Sequence, residues 1–205
     1  MAQDTSGLLA LLSIPTVYDF AQTLMGARAN RIWLQQQFIQ AQPGERVLDV
    51  GCGTADILSV MPDVDYTGFD ISQSYIAKAS RRWGDRGRFH AQLLNGEIMQ
   101  DLEKFDLILA TGLLHHLDDN EVHDLFETLA KGIKSDGRIV TVDGTFAEGQ
   151  NSVARFVVQR DRGKSIRSPE GYANLAKSHF SSVRGHLVER KWIPYTYWIM
   201  EIGNE

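Results

Sequence analysis

The chain has 205 residues, 43% of them hydrophobic and 23% charged, with a formal net charge of -5 at pH 7. That length and balance suit one α/β unit with a sizeable core and exclude wholesale disorder. The mild acidity disfavours nucleic acid as a partner, and a lone cysteine, Cys52, excludes an internal disulfide and a cysteine zinc cluster.

Near the start, Gly7–Pro15 is apolar but follows Gln3 and Asp4 rather than a basic stretch. It is expected to pack on the domain as an entry segment, not to direct secretion, and no apolar run is long enough to span a bilayer. The expectation is a cytoplasmic protein without a membrane partner. Tyr18–Gln40 predicts a helix, with Phe20, Leu24, Ile32, Leu34 and Phe38 giving an apolar stripe, so that residues 1–42 form an N-terminal helical cap. Pro43-Gly44 then punctuates the chain.

From there short β-branched runs alternate with helical stretches. Strands are expected at Arg46–Val50, Tyr66–Asp70, Arg88–Leu93, Phe105–Thr111 and Arg138–Asp143. Ser72–Trp83, a short turn around Glu97–Leu102, and Asp119–Ile133 fill the gaps. Ser72 and Asp118 are N-cap candidates, and Glu121 follows Asp118 at capping-box spacing. Such alternation argues for a parallel sheet covered on both faces. After Asp143, Asn151–Arg162 and Ser168–Phe180 read as helices, which makes 146–180 a lid-like insertion. Arg184–Lys191 and Tyr195–Ile202 then read as strands joined by a turn at Trp192–Pro194, too closely linked to pair other than antiparallel. With no linker or repeat in it, residues 1–205 are read as a single domain.

The sharpest motif is Val47-Leu48-Asp49-Val50-Gly51-Cys52-Gly53-Thr54, a strand running into Gly-x-Gly. Such a turn lets the backbone bend sharply and approach a ligand. Asp70 ends the next strand, where a carboxylate can accept both hydroxyls of a ribose. The third glycine of a dinucleotide fingerprint is missing, because position 56 is Asp56, and a carboxylate there would repel a pyrophosphate. Asp49, just before the first glycine, is placed to answer a positive charge. S-adenosylmethionine (SAM) carries a sulfonium and an ammonium and no phosphate, so these charges favour SAM over NAD.

In these segments the chain resembles the class I, Rossmann-like SAM-dependent methyltransferases of small molecules. Leu48–Ala55 is similar to their first motif and Gly68–Ser72 to the second-strand acid with its following residue. Phe105–Asp119 resembles the fourth-strand motif of a group that includes quinone-biosynthesis methyltransferases, and Gly137–Gly144 the fifth strand. The resemblance implies a seven-stranded, mostly parallel sheet of order 3-2-1-4-5-7-6 with an antiparallel last strand and helices on both faces. It implies SAM as cofactor. Asp49, Gly51 and Gly53 are expected at the aminocarboxylate end, Asp70 on the ribose, Ile71 against the adenine, and Thr111 and Gly112 beside the methionine part. Asn95 stands where many members have an acid that meets the adenine amino group. Tyr18 opens the first helix where related enzymes close over the methionine end, and is as readily a half-buried helix aromatic.

For the methyl acceptor the position of the strand ends is the guide. His115 and His116 follow the fourth strand and Asp143 ends the fifth; His115 and Asp143 are the candidate catalytic residues. Adjacent histidines point in different directions, so one packing while the other lines the pocket is the plainer reading. Asp143 serves equally well as a helix cap or solvated strand end. Some quinone methyltransferases resembling this region carry Glu where His115 stands, and no metal is expected. Arg155, Arg160, Arg162, Lys164 and Arg167 make the insertion locally cationic. A solvated face is the default for such a run, with a small-molecule acceptor of anionic character as the functional alternative. Tyr195, Tyr197 and Trp198 are expected to build the last strand. The competing functions are a SAM-binding protein without transferase activity and, further off, an NAD-dependent oxidoreductase or an aminopropyl transferase.

Overall fold

The structure is a computed structural model that describes residues 27–160, 163, 165–190 and 193–203. Its centre is a seven-stranded sheet in which β1 (Arg46–Val50), β2 (Asp65–Phe69), β3 (Gly87–His90), β4 (Phe105–Thr111) and β5 (Ile133–Gly144) run parallel. β6 (Ser182–Arg190) and β7 (Ile193–Gly203) close it, β7 lying antiparallel between β5 and β6. The order β3-β2-β1-β4-β5-β7-β6 is the one expected from the sequence.

Because strand side chains alternate, the sheet builds two separate cores. Leu48, Val50, Phe69, Ile108, Ile139 and Met200 point to one face. There they meet Met99 of α3 (Gly96–Gln100), Val122, Phe126 and Leu129 of α4 (Asp119–Gly132), and Tyr172 and Ala176 of α6 (Pro169–Lys177). Val47, Tyr66, Leu107, Leu109, Val140 and Ile199 point to the other. They meet Leu34 of α1 (Ala27–Leu34), Ile39 of the following π-helical turn, Leu58, and Ala79 of α2 (Gln73–Trp83). Each fully buried leucine, isoleucine or phenylalanine here contributes about 1.5–3 kcal/mol of transfer free energy. α5 (Ser152–Gln159) packs on β7.

The caps follow the local sequence. Ser72 accepts from Tyr75 N, and Asp118 and Glu121 form a reciprocal capping box at α4. Ser168 caps α6 with Pro169 in its first turn. Residues 27–40 are helical as expected, ending at Gln40 with φ +48°, whereas the stretch from Tyr18 to residue 26 lies outside the described residues. Arg138 fastens this segment to the sheet. Its guanidinium donates to Ile39 O, Gln40 O and both oxygens of Glu45. Burial opposes ionisation of the Glu45 carboxyl, but Arg138 and the Gln42 N–H outweigh it and hold it below the usual carboxylate range.

Several boundaries differ from the sequence expectation, and three of them have a local reason or consequence. β5 begins at Ile133 instead of Arg138, and its register jumps from Phe105 opposite Ile133 to Leu107 opposite Arg138. The polar residues Lys134–Gly137 are the bulge; Lys134 reaches Asp106 at 2.6 Å, and a Cβ on Gly137 would stand 3.0 Å from Phe105 O. β3 stops at His90, leaving Ala91–Leu93 exposed. β7 begins two residues early, at Ile193, with Arg190 opposite it.

Candidate functional site

The loop after β1 turns so tightly that Gly51, Gly53 and Ala55 all take positive φ, at +72°, +54° and +53°. Only glycine adopts this at little cost, which explains the Gly-x-Gly spacing. Gly51 N and Cys52 N donate to Phe69 O at 2.8 and 3.1 Å, binding the turn to the end of β2. The Asp70 carboxylate completes the clamp. It accepts from Gly53 N at 2.9 Å through one oxygen and from Ser72 N at 2.7 Å through the other. Each oxygen keeps a lone pair, so the acid is held in place and still able to accept two hydroxyls. A Cβ on Gly51 would lie 3.1 Å from Leu113 Cδ1, so the loop after β4 closes on the turn from the side. Above Gly53 there is open space.

Beside Asp70, Ile71 leaves 75% of its surface exposed, and Leu93 in the loop after β3 leaves 69%. Two apolar side chains uncovered on neighbouring strand-end loops suit a flat aromatic ligand. Sequence reasoning passed over Leu93 by extending β3 through it. The signal was present: Leu93-Leu94 breaks strand alternation, and only Leu94 is buried. Asn95 is exposed and its Oδ1 caps α3, accepting from Ile98 N at 3.0 Å, which turns the side chain so that its amide N–H groups are the donors left for a ligand. Asp56 is paired with Arg82 at 2.5 Å and accepts from Thr54 Oγ1. Its charge is therefore partly met, and its repulsion of a pyrophosphate is weaker than the sequence suggested.

Asp49 lies beneath the turn, 5% exposed, and accepts a 2.6 Å hydrogen bond from the Tyr66 hydroxyl. Burial pushes its carboxyl up to about 7; the Tyr66 hydrogen bond opposes that rise and the charge of Asp70 adds to it. Burial and these same carboxylates hold the Cys52 thiol neutral, well above its usual range. Tyr66 is the other residue missed from the sequence, where nothing marks it as a neighbour of Asp49.

On the far side of the turn, Thr111 and Gly112 are exposed, and Gly112 takes φ +69° while donating to Val142 O at 2.7 Å. The next turn, Leu114–His116, carries the paired histidines, whose rings do not diverge as expected from the sequence but lie 4.2 Å apart at an angle of 42°. His116 is exposed, whereas His115 is 6% exposed with Nδ1 2.8 Å from Asp143 Oδ1. The same oxygen accepts from His115 N at 3.2 Å. Asp143 is 2% exposed, and its second oxygen has no hydrogen-bond partner among the described residues. The imidazole bridges two walls: its Cε1 approaches Gly112, while a Cβ on Gly163 would collide with its Cδ2.

Gly163 belongs to the insertion, which thus reaches the turn after β4. Ser165 N donates to His115 O, and Arg167 donates to Leu114 O and Leu117 O and pairs with Asp119 at 2.7 Å. Arg167 is spent inside the protein and is not offered to a ligand. Arg155 and Arg160 rest over Phe146 and Phe156, while Arg162 and Lys164, like Tyr18, lie outside the described residues. α6 is not part of a roof: it packs on the sheet face beside α4, with Tyr172 donating to Gly144 O. A depression of about 400 Å³ between α4 and α6, lined by Asp119, His123, Asn174 and Ser178 among others, borders neither His115 nor Asp143. Among the described residues, no helix is long and apolar enough to cross a membrane, and no group of three or more His, Cys, Asp or Glu is placed to hold a metal ion.

A family model of the methyltransferase domain matches residues 48–139, which contain the turn, Asp70 and the loop after β4. The demethylmenaquinone methyltransferase of Bacillus cytotoxicus is 24% identical over 136 residues, covering 62% of this chain and 56% of that protein. Cyclopropane mycolic acid synthase 3 of Mycobacterium tuberculosis is 27% identical over 136 residues, covering 62% and 47%. The chain thus spans about half the length of these curated relatives. Magnesium protoporphyrin IX methyltransferase from Synechocystis, solved with bound S-adenosylhomocysteine (SAH), superposes with a TM-score of 0.62. That match has 17% identity over 93% of this chain and 88% of the other, a likeness of fold. The sheet order, the clamped glycine turn and the methyltransferase domain matched over residues 48–139 together support a class I, Rossmann-like SAM-dependent methyltransferase.

Proposed function

We propose that this chain binds SAM at the turn after β1 and transfers its methyl group to a small-molecule acceptor. The observation that carries the reading is the Asp70 clamp. A carboxylate tied to Gly53 N and Ser72 N, with spare lone pairs and the bare Ile71 beside it, suits a nucleoside and not a phosphate. Asp70 would hold the ribose hydroxyls, Ile71 and Leu93 the adenine faces, and the Asn95 amide N–H groups an adenine nitrogen. Asp49, Gly51 and Gly53 would hold the aminocarboxylate end, with Thr111 and Gly112 beside the methionine chain and Tyr18 closing over it. When bound, SAM supplies a methyl group already activated on a sulfonium, so the protein's main task is alignment, worth up to about 7–11 kcal/mol.

His115 and Asp143 are proposed as the catalytic pair. With the Asp143 carboxylate accepting from Nδ1, Nε2 would be the basic nitrogen, and Asp143 would stabilise the imidazolium formed if the acceptor yields a proton. Such a base contributes about 10²–10⁴-fold. Within one proposed domain spanning 1–205, the insertion 146–180 is proposed to cover the site through the segment around Gly163, Ser165 and Arg167, while α6 anchors it to the sheet. With Arg167 occupied, preference for an anionic acceptor would rest on Arg155 and Arg160. The lone cysteine fits a cytoplasmic protein.

One observation favours a second reading, a SAM-binding protein without transferase activity: His115 is buried under Gly163 and Ser165. Incubation with SAM carrying a labelled methyl group and a panel of phenols, quinols, amines and carboxylates separates the two. Label should appear on an acceptor, and Asp143→Asn should slow transfer about 10²-fold or more with little change in SAH affinity. Tight SAH binding with no transfer across the panel would favour the second reading.

A further inference from the structure

β2 carries a tyrosine whose position is fixed far more closely than a surface-strand aromatic requires. Tyr66 is 1% exposed and lies over Gly68 on its own strand and Gly87 on β3. A Cβ on Gly68 would stand 3.1 Å from Tyr66 Cε1, and one on Gly87 2.9 Å from Tyr66 Cδ1. Neither glycine has a positive φ, so both are glycine for space: a Cβ on Gly68 would also stand 2.8 Å from Cys52 Sγ, so Gly87 makes room for this ring, and Gly68 for the ring and the Cys52 side chain together, leaving the ring in a slot. Phe89 closes the slot, its ring tilted 5.7 Å from that of Tyr66. At the end of the slot the hydroxyl meets Asp49 Oδ2, a side-chain bond inside an otherwise apolar core.

We infer that Tyr66 is a positioning residue of the cofactor site, holding one oxygen of Asp49 so that this carboxylate meets the cofactor's ammonium beneath the Gly51–Gly53 turn. The inference rests on the SAM reading above and adds a residue to it. Without the hydroxyl, Asp49 would be a buried carboxylate with its charge unanswered, and it would take up a proton instead. The titratable groups facing Asp49 are few. Tyr66 and Asp70 come from β2 and Cys52 from the turn, while β4 presents Leu109 opposite it and Asp56 is engaged by Arg82. Tyr66 is the donor in this set; Asp70 repels, and the Cys52 thiol stays neutral.

The sign of the pH effect follows. A cationic ligand binds the ionised carboxylate, so affinity is retained above the Asp49 pKa, pushed up to about 7, and falls as pH drops through it. Loss of the hydroxyl raises that pKa further and moves the loss of affinity to higher pH. The test uses the full chain and Tyr66→Phe, which keeps the ring in its slot. Calorimetric titrations run from about pH 5.5 to 8, where the ammonium of SAH, a free amino acid whose own carboxylate holds the proton on, stays charged. The probes are SAH and 5′-methylthioadenosine, which lacks the ammonium. SAH affinity at pH 7 should fall about tenfold or more, as loss of a hydrogen bond to a charged group predicts, and partly recover at pH 8. Affinity for 5′-methylthioadenosine should be equal in the two proteins and flat with pH. An SAH profile identical in wild type and Tyr66→Phe, or an equal loss for both ligands, overturns the positioning role alone. Wild-type protein that binds neither nucleoside at any pH overturns the SAM reading and this inference with it.

Discussion

Two backbone N–H groups end on the Asp70 carboxylate, so a single side chain both shapes the glycine turn and faces the open space above it. Asp70→Ala should weaken SAH binding by about 1.5–3 kcal/mol, the range for hydrogen bonds to a charged group, while the sheet stays folded. Since the charge of Asp70 helps raise the Asp49 carboxyl, the same substitution should move the pH at which binding fails downward. Calorimetry across pH checks both effects; unchanged affinity in a folded variant would remove Asp70 from the ribose. Gly87→Ala probes the slot from the other side. The added methyl would meet Tyr66 and Phe89 at 2.9 and 3.2 Å, an overpacking that should cost about 1–3 kcal/mol in a denaturant midpoint. At this scale the sequence was readable where function lies in local order, as in Asp49-x-Gly-x-Gly. It was silent where partners meet across strands. Tyr66 reaches Asp49, and Asp143 reaches His115, only through sheet register.

Among the elements, strands and helices were legible because their signals are local: β-branched runs, Ser72 and Asp118 as caps, and the Asp118–Glu121 box. The misreadings have one physical origin, residues whose pattern serves something other than the element. Lys134–Gly137 is polar because it bulges out of β5, and Leu93 is apolar yet exposed in the loop after β3, where it is proposed to meet the adenine. The insertion divides into three parts. α5 lies on β7, α6 joins the core under Tyr172, and Gly163–Arg167 crosses the turn that carries His115. Arg167 binds that crossing to Leu114, Leu117 and Asp119. Arg167→Ala should therefore free the segment while global stability changes little. Hydrogen exchange should quicken at residues 113–118 and 165–168 and stay constant in β1, β4 and β5. Uniform acceleration across the sheet would mean that Arg167 supports the whole fold.

For the whole molecule, the parallel sheet places the described candidate groups at or just beyond the C-terminal ends of β1 to β5, the side on which open α/β sheets bind ligands. The order β3-β2-β1-β4-β5-β7-β6 keeps the groups proposed for the nucleoside at the ends of β1, β2 and β3 and the histidine–aspartate pair at the ends of β4 and β5, with the glycine turn between them. A fold of this class fixes its cofactor more closely than its acceptor. The central claim is that the turn clamped by Asp70 receives a nucleoside bearing an ammonium and no phosphate. Titrating the purified full chain with SAH and, separately, with NAD tests it most directly. Saturable one-to-one heat from SAH and none from NAD is the predicted result; heat from NAD with none from SAH would contradict it.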